Sequence, residues 1–65
     1  MKFRLDIDCD NDAFGEGSAE VSAELAKLLS AAATRCRLDT VDIDETYPLV
    51  DSNGNTVGSF NLYSE

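Results

Sequence analysis

The sequence predicts an α+β fold in the order β-α-β-β: a three-stranded sheet with one helix packed on one face. Three observations carry this. Residues Lys2 to Cys9 alternate between apolar and polar, the period of a half-buried strand. Residues Ser18 to Arg37 repeat their apolar side chains at helical spacing. Two further apolar runs flank Asn53-Gly54, a dipeptide suited to a tight hairpin turn.

In the first strand Phe3, Leu5, Ile7 and Cys9 fall on one side, and Lys2, Arg4, Asp6 and Asp8 on the other. Residues Asp10 to Gly17 hold Asn, Asp and two glycines and read as a loop, with Phe14 tucked under the helix start. Ser18 suits an N-cap, and Glu20 lies in the first turn, where the helix dipole favours an acid. Val21, Leu25, Leu28, Leu29, Ala32 and Cys36 then form the apolar stripe. Arg35 and Arg37 occupy the last turn. The outer side carries Glu20, Glu24, Lys27, Ser30, Ala31 and Thr34.

The remainder reads as a hairpin. A two-residue type I′ turn at Asn53-Gly54 sets Val50 opposite Val57, Leu49 opposite Gly58 and Tyr47 opposite Phe60. Val41, Ile43, Tyr47 and Leu49 then share the core side with Gly58, Phe60 and Leu62. Glu45 breaks this alternation and predicts an irregular start near Asp44–Thr46. Pro48 marks an edge strand, and Gly58 offers room for a close approach of the helix. A right-handed crossover makes the first strand parallel to the second, with the third between them and antiparallel to both.

The chain of 65 residues is one small acidic domain spanning 1–65. Thirteen acids against five bases leave a net charge of −8. That balance argues against binding nucleic acid or an anionic membrane, both of which repel it. It favours a basic partner, a metal, or simple solubility. No run approaches the roughly 18 apolar residues of a membrane span. A signal-peptide pattern is missing, so the expected location is the cytoplasm. Cys9 and Cys36 fall near opposite ends of the helix, which is roughly 30 Å long at 1.5 Å per residue. A disulfide needs Cα atoms within about 7 Å, so free thiols packed as small core residues are expected.

Catalytic chemistry is hard to find. The chain has no histidine, which removes the commonest general base and neutral metal ligand. No carboxylate or lysine is placed to activate a serine or cysteine. Loop registers for calcium fail as well: starting at Asp6, Asn11 replaces the required glycine, and starting at Asp8, Ala13 does. Gly15 and Gly17 precede a helix N-terminus, but Asp10, Asp12, Glu16 and Glu20 surround it and repel phosphate. A non-enzymatic protein without metal or cofactor is expected.

The acids themselves are the conspicuous feature. On a strand, alternate side chains project the same way about 6.6–6.8 Å apart. Asp6 and Asp8 therefore leave the helix-free face, with Asp42 and Asp44 as a second row. Asp10, Asp12, Glu16, Glu20 and Glu24 extend the charge around the loop and helix start, leaving an acid-poor pole at Arg35 and Arg37. Such a surface can serve solubility alone. It can also imitate a phosphate backbone and attract a groove built for DNA.

The short acidic chain, beginning MKFRLDIDCDNDAF and ending in a hairpin with DSNGNTVGSF, resembles small phage-encoded proteins. In size, acidity and layout it most resembles anti-CRISPR proteins, in particular inhibitors of type I-C CRISPR-Cas systems. The likeness covers the whole chain; NGNTVG within it is largely turn chemistry. The resemblance implies a non-enzymatic inhibitor, acting in the cytoplasm of a bacterial host, that binds an effector (Cascade) subunit and blocks target-DNA recognition; a monomer is expected. The strand and helix reading supplies its partner-binding residues as Asp6, Asp8, Asp10, Asp12, Glu16, Glu20 and Glu24. The alternative is a protein-interaction module whose contact is the apolar hairpin surface at Pro48, Val50 and Val57, its acidity serving only solubility.

Overall fold

Strand β1 spans Lys2–Ile7, helix α1 Ser18–Leu38, strand β2 Thr46–Val50 and strand β3 Thr56–Tyr63 in the computed structural model, which describes residues 1–64. A single 3-10 turn, Asp12–Phe14, interrupts the loop after β1. The sheet order is β1-β3-β2, with β3 antiparallel to both neighbours. Leu5 and Tyr47 both lie opposite Phe60, and Phe3 lies opposite Leu62. The alternation of the strands thus puts Phe3, Leu5, Ile7, Tyr47, Leu49, Phe60 and Leu62 on one common face, with Pro48 and Val50 exposed off it. The core there is Phe14, Leu28, Ala32, Tyr47, Leu49 and Phe60. The Tyr47 and Phe60 rings stack with centroids 5.4 Å apart.

The helix begins one residue away from the expected cap. Gly17 is the N-cap and offers no side chain, while Ser18 is already helical. The Gly17 carbonyl accepts the Val21 N–H at 3.0 Å. At the other end Asp39 turns extended and donates its N–H to the Arg35 carbonyl at 3.0 Å.

The roll of α1 differs from the sequence expectation. The buried line is Glu24, Leu28 and Ala32, one residue per turn. Val21 and Leu25 are half-buried, Leu29 is 50% exposed, and Cys36 is exposed. Glu24, expected on the outer side, therefore points inward, and Cys36, expected in the core, does not. The helix packs against β2 and the 3-10 turn. Its apolar stripe is wider than the strip of sheet beneath it, so the flank carrying Leu29 and Cys36 hangs clear. Cys9 is half-buried against the core, and both thiols are free.

The hairpin turn also differs. Gly54 alone has positive φ (85°), and its N–H donates to the Asp51 carbonyl at 3.1 Å. The Asp51 N–H closes the loop on the Asn55 carbonyl at 2.9 Å. This is a three-residue loop with glycine in the left-handed position, rather than a two-residue type I′ turn. The cause is Asp51, whose carboxylate accepts the N–H groups of Asn53 and Asn55 at 2.9 Å each.

The longer turn shifts the register. Leu49 still lies opposite Gly58, but Val50 lies opposite Thr56, leaving Val57 as the extra residue of a bulge. Val57 consequently packs against the core rather than facing away from it. Gly58 makes room for β1, not for the helix: a Cβ there would meet the Asp6 carbonyl oxygen and lie 2.9 Å from the Ile7 Cα.

Between α1 and β2 the chain is irregular, as Glu45 predicts. Asp44 adopts φ 68°, and its N–H bonds the Leu62 carbonyl at 2.7 Å. Ile43 forms a lone bridge to Leu62 and stays 46% exposed, so it is a rim residue and not core. The Tyr47 hydroxyl accepts the Asp42 N–H at 2.9 Å, tying this segment to the buried ring.

Candidate partner-binding surface

β1 delivers the chain to an acidic loop whose backbone is held at several points. The Asp8 N–H donates to the Val57 carbonyl at 2.7 Å, extending the ladder one residue past the strand. Asp8 Oδ1 then accepts the Asp10 N–H at 3.1 Å. Asn11 Oδ1 accepts the Ala13 N–H at 3.0 Å and caps the 3-10 turn, while its amide donates to Asp51 Oδ2. Phe14 closes the turn by fully burying its ring. Gly15 reverses the chain at φ 65°, and the Glu20 carboxylate folds over it; a Cβ at Gly15 would lie 2.7 Å from Glu20 Cδ.

On this scaffold Asp8, Asp10, Asp12, Glu16 and Glu20 are all exposed. Among the described residues none of the five joins an ion pair. Asp6 is exposed on the helix-free face, where Arg4 Nε donates to its Oδ2 at 2.8 Å. It borders a shallow hollow with Arg4, Thr46, Ser59, Asn61 and Tyr63. Six of the seven expected contact residues thus lie exposed on the β1 end, the loop into α1 and the first turn of α1.

Glu24 is the exception. It is 5% exposed and accepts the Ser52 N–H at 2.9 Å and the Ser52 hydroxyl at 2.8 Å. Lys27 Nζ lies 3.9 Å away. These bonds join α1 to the hairpin turn and remove Glu24 from the contact set. Sequence reasoning missed this, although Glu24 sits one helical turn before the core residue Leu28. The same region buries Asp51, 6% exposed. Burial pushes its carboxyl up, but the N–H groups of Asn55 and Asn53 and the Asn11 amide outweigh this and hold it below the ordinary value. The D-S-N-G-N pattern signals the turn; the contact with Asn11, forty positions away in sequence, had no local signal.

Asp42 and Asp44 do not form a second row on the sheet. They precede β2 in the irregular segment near the C-terminal end of α1. That pole is consequently mixed in charge rather than acid-poor. Arg35 lies over the Tyr47 ring at 4.4 Å with Nε 3.9 Å from Asp39, and Arg37 donates to Thr34. Among the described residues, no three His, Cys, Asp or Glu side chains converge to hold a metal ion, and no helix is long and apolar enough to cross a membrane.

Fold and surface together define a small α+β protein with one strongly acidic end. No family model, curated protein or solved structure matches the chain.

Proposed function

We propose that this protein is a non-enzymatic binding protein whose acidic end occupies a basic, DNA-accepting surface on a protein partner and so blocks target DNA. The resemblance in size, acidity and layout makes a CRISPR effector subunit the partner of choice. The observation that supports the reading best is the run of exposed carboxylates at Asp8, Asp10, Asp12, Glu16 and Glu20, none of which joins an ion pair among the described residues. They ride on a backbone pinned by Val57, Asp51 and the buried Phe14, so little ordering is left for association to impose. Asp6 continues the charge onto the open sheet face. A lysine- and arginine-lined groove attracts such an array by the same field it uses for polynucleotide.

The test is competition with target DNA on a purified type I effector complex. Asp10→Asn, Asp12→Asn and Glu16→Gln together should abolish competition while leaving the circular dichroism spectrum unchanged. Asp42→Asn with Asp44→Asn, equal in kind but at the opposite pole, should leave it intact. Wild-type competition should also weaken steeply with added salt. Full competition by the folded triple variant sinks the proposal.

A further inference from the structure

β1 is an outer strand of the sheet, and among the described residues no strand pairs with its other edge. Asp8 donates to Val57 on β3. Antiparallel ladders alternate, so Lys2, Arg4 and Asp6 also turn their backbone groups toward β3. The N–H and C=O groups of Phe3, Leu5 and Ile7 therefore face outward. An uncovered edge of this kind is a template for another strand. The side chains add a second feature. On the helix side, Phe3 is 52% exposed because α1 packs over β2 and leaves β1 partly bare. On the other side Lys2, Arg4, Asp6 and Asp8 run base, base, acid, acid.

We propose that β1 is a self-complementary edge through which two copies of this chain pair antiparallel about a two-fold axis at Leu5. In that register Leu5 meets Leu5, Phe3 meets Ile7, Arg4 meets Asp6 and Lys2 meets Asp8 of the second copy. All the outward backbone groups fall opposite one another, and each such pair exchanges both N–H···O bonds. Every charged position on the solvent side meets its opposite charge. Side chains on the helix side meet apolar to apolar, covering Phe3. Neighbouring registers fail: an axis at Arg4 sets arginine against arginine, and an axis at Asp6 sets aspartate against aspartate, both destabilising. The pairing is isologous and closes as a dimer. It joins the two sheets into one and replaces the monomer expected from sequence. It shares Asp6 and Asp8 with the acidic surface but makes no use of Asp10, Asp12, Glu16 or Glu20, and its test reads self-association rather than competition with DNA.

Sedimentation equilibrium of the whole chain tests it. The wild type should dimerise at or below millimolar concentration. Arg4→Asp and Asp6→Arg should each weaken self-association by roughly tenfold or more. Both side chains are 66% exposed, so the fold should tolerate either change. An equimolar mixture of the two variants should regain the dimer, because each changed residue again lies opposite an unlike charge. Phe3→Pro, which removes an outward N–H but no bond to β3, should abolish dimerisation with circular dichroism retained. A wild type monomeric at millimolar concentration overturns the proposal. So does a mixture no tighter than its components, or a dimer indifferent to Phe3→Pro.

Discussion

Glu24 on the helix accepts both the backbone N–H and the hydroxyl of Ser52 in the hairpin turn, although 28 positions separate them. A carboxylate that looks like surface charge is thereby a strut between α1 and the β2–β3 hairpin. Glu24→Ala leaves the Ser52 N–H without its partner and should destabilise the fold by about 1.5–3 kcal/mol. Ser52→Ala keeps the backbone bond and should cost less. Urea unfolding of both variants measures the difference, with Glu20→Ala as an exposed acidic control.

Asp51 makes part of the stability depend on pH. Its folded-state pKa lies below the ordinary 3.8, so the carboxylate form is favoured by folding. The contribution is present above the unfolded-state value and disappears as pH falls through the folded one. Thirteen acids also repel one another, and acid relieves that repulsion. The Asp51 share is therefore read as a difference. The stability gap between wild type and Asp51→Asn should be widest near neutral pH and narrow in acid below the ordinary carboxylate value. A constant gap across that range would show that the residue acts by packing alone.

Leu28 and Leu29 are adjacent in one apolar stripe, but only Leu28 is buried, at 2% exposure against 50%. Leu28→Ala should cost about 2–5 kcal/mol, enough to unfold a domain this small. Leu29→Ala should cost no more than about 1 kcal/mol. Thermal melts of the two variants give the comparison directly.

Two glycines should respond differently to alanine. Gly54 has open space around it, so Gly54→Ala pays only for its left-handed backbone, roughly 1–2 kcal/mol. Gly58→Ala drives a methyl into the β1 backbone at Asp6 and Ile7. It should reach or exceed the upper end of the about 1–3 kcal/mol that overpacking costs. Hydrogen exchange at the Asp8 amide, whose bond to Val57 depends on that approach, should rise in Gly58→Ala and not in Gly54→Ala.

Local patterning sufficed for the element order, the burial of Phe14 and the irregular entry to β2, because side-chain alternation, helical spacing and turn residues are properties of near neighbours in the chain. The strand order followed from the general handedness of crossovers. The roll of the helix was beyond the reach of local patterning, because Leu28 lies at one edge of the apolar stripe from Val21 to Cys36, and spacing alone centres burial on the stripe rather than on that edge. Contact with Ser52 and β2 selects one flank, burying Glu24 and exposing Leu29 and Cys36. The hairpin register was equally hidden. Asp51 lengthens the turn by one residue, and a single residue reverses which way Val57 points. Sequence placed the acids near one end of the molecule; tertiary packing chose which of them remain at the surface, because only distant partners decide whether a buried carboxylate is satisfied.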